Sequence, residues 1–312
     1  MNATVNSALQ LWGLEGADWS LIAARENRVF KVNTRGGQSY ALRLHRRAFR
    51  SDAELTSELE WMDALAKGGL NVPAPIAAMD GACLHRVDDV QIDVLSWLPG
   101  APLGETGQPL SLTDRQGVFR RIGVQMARLH EISDAWTPPE NFDRWSWDRA
   151  GLLGNQPVWG RFWENPTLSH EDKTLFEATR DRAEQQLAEV EKALDYGLIH
   201  ADLVRENLMI DGDRVYLIDF DDGGWGFRLF DLATFLFKNR SEPDFQELNS
   251  AFLDGYQSRR SINIDALPLF MLLRAFTYVG WVINRMEEPG ATGRSKRFVE
   301  TARTLATEAR AA

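Results

Sequence analysis

A single cysteine, Cys83, stands in 312 residues. Its isolation excludes an intramolecular disulfide and any metal cluster built on several thiolates, and such usage fits a reducing cytoplasm. Basic charge is also scarce. Thirty-five Lys and Arg face 45 Asp and Glu, a formal net charge of −10, and no basic run is longer than His45-Arg46-Arg47. A chain of this kind repels nucleic acid and anionic membrane and attracts amine-bearing partners. No long uninterrupted apolar run occurs either. The most apolar stretch, Leu267 to Ile283, is short for a membrane span and carries Arg274 in its middle, so it reads as a buried helix. The first residues lack the charged start and apolar core of a signal peptide. There is no internal repeat and no low-complexity tract. What remains, 44% hydrophobic and 26% charged, suits a globular protein of one large or two moderate domains.

The segment Leu198 to Phe220 carries the chemistry. It reads as an apolar lead-in, the polar loop His200-Ala201-Asp202-Leu203-Val204-Arg205-Glu206-Asn207, a strand, the turn Asp211-Gly212-Asp213, and a second strand ending near Asp219. Turn chemistry alone can place Asp and Asn in a loop. Here the spacings His200–Asp202–Asn207 and then Asp219 agree together, and the arrangement is the one that moves phosphate from ATP to a hydroxyl. Asp202 would orient or accept the proton of the attacking hydroxyl. Asn207 and Asp219 would offer hard oxygen ligands to Mg2+.

The first hundred residues predict a β-rich lobe: a hairpin over 28–32 and 39–44, a helix from Asp52 to Lys67 with Leu55, Leu59, Met62 and Leu65 on one stripe, then strands near 82–86 and 90–95. Leu98-Pro99-Gly100 breaks the pattern and sets a boundary between residues 1–97 and 98–312. The remainder predicts helices over 113–130, 171–194, 229–238, 243–258, 265–287 and 294–310. A segment rich in Trp and Pro lies between Trp136 and Pro166.

Over nearly its whole length the chain resembles the aminoglycoside phosphotransferase, choline kinase and homoserine kinase group, whose fold is protein-kinase-like. The reaction loop is similar to that group's H-G-D-x-H-x-x-N, with Ala201 for Gly and Val204 for the second His. Ile218-Asp219-Phe220-Asp221 is similar to its I-D-[FW]-[DE] block, and Phe230-Asp231-Leu232-Ala233 to its D-[LI]-A. Ala127-Arg128-Leu129-His130 matches the helix end that packs beneath the loop. The resemblance implies an α+β bilobal fold, with a small antiparallel sheet and one helix in the N-lobe and a larger, mainly helical C-lobe. It implies that Asp231 braces the loop and that ATP is the phosphate donor. Arg43 stands where a Lys usually holds the phosphates, with Glu58 as its carboxylate partner and Glu54 as runner-up. Asp93 to Gly100 resembles the hinge, so adenine is expected against backbone near Ser96 and Leu98.

Only eleven residues separate Asp219 from Asp231, too few for the activation segment of a protein kinase. A small metabolite is therefore the expected acceptor, of the homoserine, amino alcohol or aminoglycoside type. A protein Ser/Thr kinase of the stress-response type and a nucleotide-binding pseudokinase are the alternatives. Trp147, Trp163, Trp145, Trp159 and Trp281 are candidates to line the acceptor pocket through cation–π contacts. Asp143, Asp148 and Glu164 would add attraction for an amine, and Asp221 or Asp222 would touch metal or substrate. Arg274, isolated in an apolar helix, needs a partner: either an acceptor carboxylate or a salt bridge within its own lobe.

Overall fold

A computed structural model describes residues 2–24 and 27–311. The chain divides into two compact units that alternate along the sequence. The first comprises Met1–Leu103, Glu131–Arg144 and Glu206–Asp221, the second Gly104–His130, Trp145–Arg205 and Asp222–Ala312. The division expected at residue 97 is a single cut. Here the reaction-loop hairpin and a segment that begins in the last turns of the third helix belong to the first unit.

In the first unit a helix, α1 (Asn2–Leu11), precedes β1 (Asp18–Ala24), β2 (Arg28–Asn33), β3 (Ser39–Leu44), α2 (Asp52–Lys67), β4 (Leu84–Val87) and β5 (Val90–Ser96). The strands form an antiparallel sheet in the order β1-β2-β3-β5-β4. Alternation dictates its faces: Phe30, Val32, Leu42, Leu44, Ile92 and Val94 point to one side. There they pack with Val5, Ala8, Leu9 and Trp12 from α1 and the turn after it. The N-lobe therefore has two helices where one was expected. Ser51 starts α2 through a capping box with Glu54, which satisfies two of the orphan amides at the helix start.

The same unit contains β6 (Ala101–Pro102), β9 (Leu208–Asp211) and β10 (Arg214–Leu217), in the order β10-β9-β6. Gly212 has φ +57° in the two-residue turn joining β9 to β10. Gly100 is obligatory where the chain enters β6. Its φ is +94°, and a Cβ there would stand 2.4 Å from the Ile210 carbonyl oxygen, so no other residue fits.

The second unit holds α3 (Arg115–Ala135) up to His130, β7 (Ser146–Trp147), α4 (Arg149–Leu153), α5 (His170–Val190), β8 (Tyr196–Ile199), β11 (Gly224–Phe227), α6 (Arg228–Asn239), α7 (Phe245–Gln257), α8 (Leu267–Trp281) and α9 (Ala291–Ala311). A small sheet, β7-β11-β8, carries the chain into the reaction loop. Helix α8 packs on α6 and α9. With the turn that follows, it is the one helix among the described residues long and apolar enough to cross a membrane. Its apolar window is 67% buried, as in a core helix.

Candidate active site

The reaction loop leaves β8 at Ile199, and its first residues are held by groups of the second unit. Asp231, on the first turn of α6, accepts the His200 amide at 2.9 Å and the Ala201 amide at 2.6 Å. His130 supports Asp231 from α3, Nε2 to Oδ2 at 3.0 Å, while its Nδ1 lies 2.7 Å from the Tyr256 hydroxyl. A carboxylate can only accept, so one tautomer serves both contacts: Nε2–H donates to Asp231 and Nδ1 accepts from Tyr256. Burial first, then the positive charge of Arg228, depress His130 to about 4. The imidazole is thus neutral. Ala201 has φ +61°, a left-handed conformation that costs an L-residue roughly 1–2 kcal/mol. This explains why the family pattern has Gly at this position.

Asp202 follows, with its carboxylate about a quarter exposed. Arg274, with no exposed side-chain surface, donates from Nη2 to Asp202 Oδ1 at 2.7 Å and from Nη1 to the Ala201 carbonyl at 3.0 Å. Burial raises the Asp202 carboxyl above the usual range, against the opposing pull of Arg274, Lys238 and His200. The expectation that Arg274 receives an acceptor carboxylate is corrected here, since its charge is committed to Asp202. Of the two partners considered in the sequence, the intramolecular one holds it.

Asn207 and Asp219 lie in the first unit at the open end of the β9–β10 hairpin. The Ile218 amide donates to the Asn207 carbonyl at 3.0 Å, one step beyond the Leu208–Leu217 pair. Asn207 is buried, whereas Asp219 is exposed with φ +68°, a conformation that Asp tolerates. Their amide and carboxylate oxygens are the donor types a hard divalent cation takes. No group of three or more His, Cys, Asp or Glu able to hold a metal occurs among the described residues. A cation here would draw its remaining ligands from phosphate and water, as Mg2+ commonly does.

Asp221 is not available to substrate. It is buried, its Oδ2 lies 3.3 Å from Arg50 Nη2, and its carbonyl accepts from Arg144 Nη2 at 2.5 Å. Burial would raise its carboxyl, but Arg50 and Arg144 outweigh that and hold it low. Arg144 also donates to the Phe220 carbonyl at 3.0 Å and stands 3.6 Å from Glu58 Oε2. It thereby ties α2 to the segment that carries Asp219. Sequence reading missed Arg144 because it sits in a loop without periodicity.

Arg43 forms a wider cluster than a single pair. Nη1 donates to Glu58 Oε1 at 2.7 Å, and Nε and Nη2 straddle Asp93 at 2.8 Å each. Glu54 is engaged instead in the α2 capping box. Asp93 faces Arg43 across the β3–β5 ladder and also meets His45 Nε2 at 2.6 Å. Burial would raise the Asp93 carboxyl, yet Arg43 and His45 lower it to about 2. Asp93 was legible only as a charge between Ile92 and Val94 on a strand, a position that requires a partner. At the hinge, the Ser96 amide donates to the Ala74 carbonyl at 2.8 Å and its hydroxyl accepts from the Ala74 amide at 2.9 Å. Both groups are therefore spent within the unit. Among the described residues the Leu98 amide bonds to nothing.

The aromatic segment of the second unit converges on Asp222. Trp145 and Trp147 donate their indole N–H groups to its carbonyl at 3.3 and 2.9 Å, and Trp159 donates to its carboxylate at 3.3 Å. Trp147 is wholly buried and stacked on Phe230, so it braces Asp222 and offers no face to a ligand. Trp163 is half-buried, with the Arg180 guanidinium 4.2 Å from its ring centroid. Asp148 caps α4 and Glu164 pairs with Arg161. Trp159, beside Trp281 and Tyr278, remains next to the half-buried Asp222 carboxylate.

Comparison with known proteins agrees with this fold. A solved microcompartment-associated aminopropanol kinase superimposes with a TM-score of 0.84 at 28% identity, covering 98% of this chain and 97% of that one. The amicoumacin kinase hAmiN, solved with AMP-PNP, Ca2+ and Ami, gives 0.78 at 20% identity over 98% and 93%. Homoserine kinase of Sinorhizobium fredii is 28% identical over 78% of this chain and 72% of its own length. The profile of the phosphotransferase enzyme family matches residues 18–268. With an α+β kinase-like fold and this reaction loop, the chain belongs to the phosphotransferase enzyme family.

Proposed function

We propose that this phosphotransferase uses ATP and Mg2+ to phosphorylate the hydroxyl of a small amine-bearing alcohol. One observation carries the reading: Asp202, partly exposed, stands on a loop whose amides are locked by Asp231 and whose carboxylate is oriented by Arg274. Asp202 takes the acceptor's hydroxyl proton as the acceptor oxygen bonds to the γ-phosphorus. The bond from that phosphorus to the β–γ bridging oxygen breaks, its electron pair leaves on ADP, and the proton passes from Asp202 to solvent. Asn207 and Asp219 would hold Mg2+, which supplies neutralisation of phosphate charge. Arg43, fixed by Glu58 and Asp93, keeps N–H groups beyond those its two carboxylates occupy and offers them to phosphate oxygens. The Leu98 amide serves the adenine edge.

Asp222 beside the Trp159 indole suits an ammonium group, combining a carboxylate with an aromatic ring; Trp281 already carries the Arg285 guanidinium 4.0 Å from its centroid. Arg274 is spent on Asp202, which favours amino alcohols over acceptors that also bear a carboxylate. The likeness to an aminopropanol kinase over 98% of this chain supports the same choice. A protein acceptor is disfavoured by the eleven residues between Asp219 and Asp231; four of them, Gly224–Phe227, form β11. The intact Asp202, Asn207 and Asp219 argue against a pseudokinase.

The test is ADP release across amino alcohols, choline, homoserine, hydroxylysine and aminoglycosides with Mg-ATP. Turnover should be highest with an amino alcohol. Preference for homoserine would overturn the choice of acceptor, and ATP binding without turnover of any of them would overturn the reading as a kinase of this class.

A further inference from the structure

Asp231 and Arg274 both hold the reaction loop, and Arg274 lies outside its motif. Asp231 takes the amides of His200 and Ala201 from one side. From another, α8 delivers Arg274, which takes the Ala201 carbonyl and the Asp202 carboxylate together. The same Nη2 also donates to the Tyr278 hydroxyl at 2.7 Å, one helical turn along α8. Trp159, Tyr278 and Phe230 surround the guanidinium carbon at 4.6, 4.3 and 5.4 Å from their ring centroids. A cation so enclosed has one strongly preferred geometry.

We infer that Arg274 is a positioning residue for the reaction: by holding Asp202 Oδ1 and the Ala201 carbonyl together it sets the orientation of the carboxylate that meets the acceptor hydroxyl. The inference rests on the reading of Asp202 as the proton acceptor. Planarity is what the task requires, because a fork can bond a carbonyl, a carboxylate and a phenol at once, whereas an ammonium on a flexible stem cannot hold all three. The charged and titratable groups that act on Asp202 include Arg274 from α8, Lys238 from α6 and His200 from its own loop, while Tyr278 on α8 and Asp222, in the turn before β11, act on Arg274. Lys238 lies 3.9 Å above the Tyr278 ring, whereas Arg274 hydrogen-bonds the carboxylate at 2.7 Å.

Arg274→Lys keeps the charge and loses the fork. The expected result is a folded protein with kcat lower by about 10- to 100-fold, as loss of a charge-assisted hydrogen bond implies. KM for ATP should be unchanged, and the acidic limb of the kcat–pH profile should move to higher pH. Guanidinium added to the Arg274→Ala protein should restore part of the rate. Tyr278→Phe, a milder change, should give a smaller loss with the same direction of pH shift, and it decides the matter if Arg274→Lys does not fold. Wild-type kcat and pH profile in either folded variant, with Asp202→Asn inactive, would overturn the positioning role and leave the kinase reading intact. Turnover by Asp202→Asn would overturn both.

Discussion

His130 and Asp231 share a hydrogen bond of 3.0 Å with neither side chain exposed, so the brace beneath the reaction loop depends on a neutral imidazole. His130 in the folded protein is depressed to about 4, while in the unfolded chain it titrates near 6.5. Between those values the unfolded state binds the extra proton, and stability falls as pH falls. The contribution lost across that window is about 3 kcal/mol. Urea denaturation at intervals from pH 7 to pH 4 should show the decline. His130→Gln should be less stable at pH 7 yet flatter across the window, and an unchanged slope would refute the assignment.

Asp93 answers the opposite way. Its carboxyl is lowered to about 2 by Arg43 and His45 despite burial. Its contribution is therefore present above the ordinary Asp range near pH 3.9 and is lost as pH falls toward the lowered value. Asp93→Ala leaves Arg43 and His45 buried with one partner fewer. Unfolding free energy at pH 7 should drop by roughly 3–5 kcal/mol, read from denaturant midpoints.

Asp202→Ala and Asp219→Ala should fold, since both side chains are at least partly exposed. Turnover should fall by roughly 10²–10⁴-fold for the loss of Asp202 as proton acceptor, and by at least as much for Asp219. Circular dichroism and thermal melts separate this from misfolding. Activity near wild type in either variant sinks its assigned role.

Asp222→Asn keeps the shape that receives the Trp159 indole and removes the charge. For an amine-bearing acceptor kcat/KM should drop about 10- to 100-fold, the scale of one hydrogen bond to a charged group. The KM for ATP should hold. An acceptor in which hydroxyl replaces amine should be far less affected, and an equal loss for both would show that Asp222 does not recognise the ammonium.

The elements with strong periodicity were legible: α2 runs over the residues that its capping box and apolar stripe define, and β2, β3, β5 and the β9–β10 hairpin fall within two residues of expectation. Short or weakly patterned elements were not. Helix α1 is partly exposed, and β1 leaves Leu21 and Ile22 exposed. Strands β7 and β11 rely on ladder partners distant in sequence, which no local pattern reveals. At the site, the sequence supplied the acidic residues because their spacing is rigid. It could not supply Arg144 or the Arg274–Asp202 bond, because those arise from tertiary contacts between segments 76 and 72 positions apart. The aromatic expectation failed at Trp147, which is wholly buried, for a related reason. A large ring near a functional group often serves as packing behind it.

The β9–β10 hairpin places Asn207 and Asp219 at one end and Gly212 at the other, where the turn is exposed and a side chain would meet nothing within 4 Å. Four ladder pairs separate the two ends, so lengthening that tip leaves the distance between the oxygen donors unaltered. Positions 211–213 therefore make a natural splice point for a fluorophore or an epitope, one that would report on the hairpin without touching the chemistry it carries.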